Sequence, residues 1–208
     1  MNHPDPHRIT TVEQLRSIVG EPSSLVQYKL WKTIEPAAAE FIQRSPFLLL
    51  STADAAGNQD VSPKGDGPGF AVIENETTLL IPDRKGNKLV FGLQNILENP
   101  QVGLLFLIPG TGETLRVNGT AELTLDPAIL ERLSARGKPA SIAIRVSVRE
   151  CFFHCAKAFL RAQLWKPDSW LPEYRISFGK LLVSKMGGDE AAVRQFDEFV
   201  EQDYKTNL

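Results

Sequence analysis

Four stretches of this chain bring cations, hydroxyls and glycines close enough together to bind or transform a ligand. The first is Ser62-Pro63-Lys64-Gly65-Asp66-Gly67-Pro68-Gly69, in which three glycines and two prolines fall within eight residues. Such a backbone can approach a ligand closely. Ser62 and Lys64 share one side of an extended chain and offer a hydroxyl and a point charge suited to phosphate; the alternative is a solvated turn. The second is Ile81-Pro82-Asp83-Arg84-Lys85-Gly86-Asn87-Lys88, a strand end running into a helix. Exposed amides at a helix start, with Arg84, Lys85 and Lys88 alongside, suit an anion. A basic turn in solvent is the competing reading. The third is Thr114-Leu115-Arg116-Val117-Asn118-Gly119, where period two puts Thr114, Arg116 and Asn118 on one face and Leu115 and Val117 on the other. That polar face meets either water or a polar ligand, because burial without partners is costly. The fourth runs from His154 and Cys155 through Lys157 and Arg161 to Trp165, whose spacing of four would stack two cations and an indole on one helical face.

Several chemistries are disfavoured by the same residues. The glycine cluster lacks the Gly-Lys-Ser/Thr of a nucleotide-hydrolase phosphate loop, and no helix opens from it as a dinucleotide fingerprint requires. Gly-x-Ser-x-Gly is absent and two of the three histidines lie near the N-terminus, which argues against a Ser-His-Asp hydrolase. Cys151, His154 and Cys155 are three potential metal ligands with no fourth nearby, so no metal is expected. A reactive thiol in a cationic setting and an inert buried cysteine are the remaining readings of that cluster.

The elements that must position these residues follow from hydrophobic spacing and punctuation. Residues 10–45 read as helical. Thr10 and Glu13 suggest a capping box ahead of Val12, Leu15, Ile18 and Val19; Leu25, Tyr28, Leu30 and Trp31 form a second stripe; Pro36 opens a third helix through Phe41 and Ile42. From 47 to 155 short apolar runs alternate with turn residues. Strands are expected at 47–52, 59–62, 70–73, 78–81, 102–108, 114–125 and 141–153, with hairpin signals at Asp54–Gly57, Glu74–Glu76 and Pro109–Gly112. Short helices are expected at 88–97 and 127–133. Helix returns at 156–164, 178–184 and 190–204. Six or so antiparallel strands in about 110 residues suggest a small barrel, which removes exposed sheet edges by closure. The chain therefore reads as one domain: N-terminal helices over 1–45, a β core over 46–155 and C-terminal helices over 156–208.

Composition sets outer bounds. The chain has 208 residues, with 23 Lys+Arg against 25 Asp+Glu and a net charge of −2, which disfavours a nucleic-acid binder. The longest apolar run, Leu104-Leu105-Phe106-Leu107-Ile108, is far short of the roughly 18 residues that span a membrane. The first residues lack the basic-then-apolar pattern of a secretion signal. With only two cysteines, a disulfide framework is excluded. A soluble, cytoplasmic protein is expected, without nucleic-acid or membrane partners. The 15 glycines and 14 prolines are unevenly placed along the chain, and they favour many short turns in its β-rich middle.

Taken in order, these segments resemble the FMN-binding split-barrel family related to pyridoxamine 5′-phosphate oxidase. The resemblance rests on Phe47-Leu-Leu-Leu-Ser-Thr-Ala-Asp, Ser62-Pro-Lys-Gly-Asp, Ile81-Pro-Asp-Arg, the run from Asn95 to Phe106, and Arg116-Val-Asn-Gly, spread over about 46–125. The tail from Phe153 to Trp165 is similar to a subgroup known as predicted flavin-nucleotide-binding proteins. The resemblance implies a mainly β fold with flanking helices, built on a six-stranded antiparallel Greek-key split β-barrel. It also implies a homodimer with FMN in clefts at the subunit interface. Lys64 matches the family's phosphate-binding lysine, and Ile81 and Pro82 fall where backbone groups meet the flavin ring, with Asp83 and Arg84 following. Asn87 and Lys88 fall where an Arg-Lys pair grips the phosphate, so Asn87 is a departure; Gln59, where the oxidase has arginine, is another. Thr114 and Arg116, with Asn118 on the same strand, lie where the ring is reached from the other subunit. Lys157, Arg161 and Trp165 are candidate cleft residues. The implied activity is FMN-dependent oxidoreduction of a small molecule, with NAD(P)H as a candidate electron donor. Pyridoxamine-phosphate oxidase activity itself is disfavoured, because 174–208 lacks a counterpart to that enzyme's C-terminal arginine-and-histidine motif. A non-catalytic flavin-binding or sensing protein, or a split barrel using haem or a deazaflavin, stands as the alternative.

Overall fold

A computed structural model describes Asp5, residues 7–86 and residues 88–207. Seven strands form one antiparallel sheet: β1 (Phe47–Ala53), β2 (Gln59–Gly65), β3 (Val72–Asn75), β4 (Thr78–Asp83), β5 (Gln101–Leu107), β6 (Thr114–Thr124) and β7 (Ile142–His154). Their order is β2-β1-β5-β6-β7-β4-β3. The mainly β architecture with flanking helices is thus as expected, with seven strands rather than six. Strands β2 and β3 are consecutive in sequence yet lie at opposite edges. The sheet curls until the end of β2 meets the end of β4, where Lys64 and Asp83 form an ion pair across the split.

Period-two alternation fixes which side chains enter the barrel. Along β1, Leu48, Leu50 and Thr52 are buried while Phe47, Leu49 and Ser51 are half-buried. Pairing carries the pattern across the sheet: Leu50 faces Leu104, Leu104 faces Val117, and Val117 faces Cys151. These four are at most 1% exposed. Strand β4 is buried on both faces, so its sequence reads as a continuous apolar run. Leu79 and Ile81 join the main core, while Leu80 packs with Ile129, Leu133, Ala140 and Ala143 in a second cluster. Helix α4 (Pro127–Arg132) supplies Ile129, and its N-terminus is capped by Asp126, whose Oδ1 accepts from the amides of Ala128 and Ile129.

Strand β2 runs on through Pro63, Lys64 and Gly65, three residues beyond the expected end at Ser62. Proline lacks an N–H for the ladder, yet an edge strand tolerates it. Pro63 is exposed on such an edge. Between β6 and β7 the register slips at Asn118/Gly119. A Cβ on Gly119 would stand 2.1 Å from the Ser147 carbonyl oxygen, so only glycine fits this bulge.

The helices depart from expectation at their ends. Helix α1 (Val12–Val19) has its capping box one residue later than expected, with Thr11 as N-cap and Gln14 reaching back. Its stripe of Val12, Leu15, Ile18 and Val19 stays exposed. The second stripe forms a 3-10 turn, Ser24–Lys29, before Trp31 bridges to Cys151 of β7. Helix α2 (Pro36–Arg44) opens on Pro36 and buries Ala38, Phe41 and Ile42 against the barrel. Helix α3 (Phe91–Glu98) begins three residues after the expected Lys88, because Lys88 and Val90 both take positive φ, 63° and 48°. A β-branched residue in that region is an outlier that the surroundings must enforce. Helix α5 (Lys157–Ala162) is short. Helices α6 (Phe178–Met186) and α7 (Glu190–Thr206) pack as a hairpin whose close approach needs Gly179, since a Cβ there would meet the Val193 carbonyl oxygen at 2.2 Å.

Candidate functional site

The split between β2 and β4 opens into a cavity of about 610 Å³, within the range of small-molecule and cofactor sites. Three strands, a helix and a turn build it. The inward face of β2 supplies Asp60, Ser62 and Lys64; the end of β4 and the turn after it supply Pro82, Asp83, Arg84, Lys85 and Lys88; the start of α3 supplies Phe91, Gly92 and Leu93; Ser141 and Ile142 close it at the start of β7.

The β2 residues face inward for the reason that Leu48 and Leu50 do. Register pairs Asp60 with Thr52, Ser62 with Leu50 and Lys64 with Leu48. At an edge strand this inner face meets the cavity rather than another strand, so polar side chains keep access to water or ligand. Lys64 Nζ is held by Asp83 Oδ1, with side-chain exposures of 18% and 15%. Behind the rim, Asp66 is only 9% exposed and grips two arginines. Its Oδ2 accepts from Arg84 Nε at 3.2 Å, and its Oδ1 lies 3.4 Å from Arg136 Nη2. Lys85 donates to Asn207 Oδ1 at 3.0 Å, tying the end of α7 to this turn. Counting Arg136 and Asp66, five cations stand against three carboxylates around the cavity. The surplus of two positive charges suits a dianion.

Helix geometry adds to that surplus. The N-cap of α3 is Val90, whose side chain makes no capping hydrogen bond. The first amides of a helix lack intrahelical acceptors and carry the positive end of its dipole. Gly92 sits where this helix start meets the side chains of β1 and β2. A Cβ there would stand 3.4 Å from both Asp60 Oδ2 and Ser62 Oγ, and 3.6 Å from Thr52 Oγ1. A helix start without a side-chain cap, a hydroxyl and several cations around one hollow form a candidate anion-binding site, with the Asp60 carboxylate beside Gly92 opposing it.

Of the residues singled out from sequence, Ser62, Lys64, Pro82, Asp83, Arg84 and Lys88 line this cavity. Ile81 is fully buried in the barrel core beside it. Asn87 lies outside the described residues. Thr114, Arg116 and Asn118 share a strand away from the cavity. Thr114 is buried opposite His154; the Arg116 guanidinium lies 5.3 Å from the Phe152 ring centroid; Asn118 donates to Glu150 at 3.0 Å. Leu115 and Val117 point into the core, so the two-faced reading of β6 holds.

The single helical face expected for Lys157, Arg161 and Trp165 does not form. Helix α5 stops at Ala162 because Gln163 takes a left-handed conformation, and Trp165 lies beyond it. The indole stacks on Phe159 at 5.8 Å and donates from Nε1 to the Thr111 carbonyl at 2.7 Å. Lys157 and Arg161 are exposed on α5. Cys151 points into the core while Cys155 is exposed, so the two thiols do not converge. Burial, with a smaller contribution from the Glu35 carboxylate, pushes the Cys151 thiol up to about 12.

Sequence reasoning passed over four residues that the site uses: Asp60, Asp66 as a clamp, Arg136 and Gly92. The period-two spacing of Asp60, Ser62 and Lys64 was the available signal for the first. Arg136 reaches Asp66 from 70 positions away, which no local pattern carries.

Residues 34–155 match the family model described as pyridoxamine 5′-phosphate oxidase. No curated protein matches the chain. Among solved structures, HupZ of Group A Streptococcus is 18% identical, with 58% of this chain and 93% of that one covered at a TM-score of 0.48. An FMN-binding protein from Syntrophomonas wolfei is 12% identical, covering 67% and 96% at 0.46. General Stress Protein 26 of Bacillus anthracis is 15% identical, covering 55% and 88% at 0.42.

Proposed function

The chain belongs to the pyridoxamine 5′-phosphate oxidase family, and on that premise we propose that it is an FMN-binding flavoprotein that oxidises or reduces a small molecule. The observation that carries this reading is the cationic cavity between β2 and the start of α3. Its volume suits a cofactor, and its charge suits a phosphate monoester. Lys64, Arg84, Lys85 and Lys88 would hold the phosphate with the amides that open α3. Asp66 keeps the Arg84 guanidinium aimed at the rim. Pro82, Leu93 and Ile142 give the apolar surface on which a planar ring can lie. FMN, when bound, supplies hydride and single-electron chemistry. The protein then needs to bind, orient and desolvate rather than provide a nucleophile. The cavity lining accordingly contains no histidine, cysteine or tyrosine among the described residues.

A second copy of the chain fits the same reading. Cross-strand pairing places Pro63, Leu49, Leu105, Arg116 and Phe152 in one row on the outer face of the sheet. Val61, beside this row, is 56% exposed. A homodimer formed through this face would cover the row and bring Arg116 towards the partner. The functional test is anaerobic mixing of the FMN-loaded protein with NADH or NADPH. Bleaching of the flavin by either supports the oxidoreductase reading, and its absence with both excludes a nicotinamide donor and counts against that reading, favouring a flavin-binding protein without turnover.

A further inference from the structure

Residues 9–30 are all exposed. Among the described residues, their hydrogen bonds and their ion pair, Arg16 with Glu21, stay within the stretch. Yet the local structure is well specified. Thr11 and Gln14 complete a capping box, and α1 gathers Val12, Leu15, Ile18 and Val19 on one face. An isolated helix shorter than about 12–15 residues is marginal in water. The eight residues of α1 therefore need a surface against that face, and the chain's own barrel does not supply it.

The exposed area is that of an interface rather than of a minor contact. Nine large apolar residues between Ile9 and Leu30 are 39–73% exposed. Together they leave on the order of 800 Å² bare, the area that one partner contributes to a stable dimer. Arg16 and Lys29 balance Glu13 and Glu21, so neither an anionic membrane surface nor a nucleic acid is electrostatically favoured. A protein surface is.

The root of this stretch points to a second copy of the chain. Pairing of β7 with β4 ends at Ser147, and further along the same edge Trp31 takes over. Its N–H donates to the Cys151 carbonyl at 2.9 Å, and its carbonyl accepts from the Cys151 N–H at 2.8 Å. Leu30 and Phe152 are the next residues on these two antiparallel segments. Phe152 belongs to the outer row that the homodimer reading covers. A two-fold axis through that row sets each root beside the other chain's sheet. Resting on that homodimer, we propose that residues 9–30 are an exchanged arm. The apolar face of α1 lies on the partner and extends the sheet-to-sheet contact into a clasp.

The test is sedimentation of the full chain over a dilution series, for wild type, the double variant Leu15→Glu with Ile18→Glu, and Val61→Glu on the sheet face. All three positions are exposed in the single chain, so the variants should fold, as thermal melts would check. Wild type is expected to be a dimer at micromolar concentration. The double variant should raise the dimer Kd by about 100-fold or more, as loss of two anchoring apolar side chains does. Val61→Glu should weaken the dimer too. A photo-cross-linking residue in place of Ile18 should join two chains, shown by mixed isotope labels in the linked peptides. A dimer that Val61→Glu weakens and the arm variant leaves unchanged would overturn the arm while the homodimer reading stands. Cross-links from position 18 confined to its own chain would overturn it as well. A wild type that stays monomeric throughout the series would overturn both.

Discussion

Replacing Lys64 with alanine removes the cation at the junction of β2 and β4. In the folded chain its ammonium is held by Asp83, and the pair keeps less than a fifth of its side-chain surface exposed. An ammonium has three donors, so Lys64 can retain Asp83 and still reach a phosphate oxygen. Truncation therefore acts twice: one charge-assisted hydrogen bond to the ligand is lost, and the Asp83 carboxylate is left facing the dianion without its counter-charge. The first effect alone is about 1.5–3 kcal/mol, or about 10- to 150-fold in affinity. The second adds to it and is reversible by design, since Lys64→Ala with Asp83→Asn should bind FMN more tightly than Lys64→Ala alone. Breaking a partly buried pair costs about 1–3 kcal/mol of stability, which a domain of ordinary stability, about 5–15 kcal/mol, survives. The assay is quenching of FMN fluorescence on titration at fixed ionic strength, with a thermal melt of each variant. A folded Lys64→Ala protein whose affinity lies within twofold of wild type would refute the assignment of Lys64 to the phosphate.

Three further predictions concern the scaffold. Gly119→Ala must push the new methyl off the Ser147 carbonyl, 2.1 Å from its ideal position, and so break the β6–β7 bulge. A loss of about 3 kcal/mol or more in urea unfolding is expected, within the range for severe backbone strain; a change below 1 kcal/mol would contradict the account. Cys155 should be the one thiol alkylated in native protein, with Cys151 labelled only after unfolding, as read by intact mass; native labelling of both would show that the core is open. The raised Cys151 ionisation has a pH consequence of definite sign. The folded state holds the thiol proton more tightly than the unfolded state, so the stabilisation is complete below pH 9 and falls as pH rises from about 9 towards 12. Cys151→Ser should flatten that part of the stability profile.

Much of the barrel was legible because burial repeats at period two. Leu48 and Leu50 enter the core in alternation with Phe47 and Leu49, and Leu115 and Val117 in alternation with Arg116. Strand β2 was cut short because Pro63 reads as a breaker, whereas its edge position leaves no ladder hydrogen bond to lose. That truncation put Lys64 in a loop and hid its inward partner Asp60. The start of α3 was misplaced because Lys88 and Val90 adopt left-handed backbone under tertiary constraint, against their residue types. Spacing alone places Trp165 on the face of α5, and the left-handed turn at Gln163 that ends the helix carries no residue signal such as glycine. Ser62, Lys64, Pro82, Asp83, Arg84 and Lys88 did converge on one cavity. The clamp of Asp66 on Arg84 and Arg136 did not show, because it joins three segments that only folding brings together.

The central claim is that the cationic cavity holds FMN. The direct measurement is the absorption spectrum of freshly purified protein, followed by denaturation and mass identification of whatever is released. The account predicts flavin bands and the mass of FMN, or stoichiometric uptake of one FMN per chain when the protein is isolated empty. A haem or deazaflavin spectrum, or a folded protein that neither carries nor takes up FMN, would contradict it.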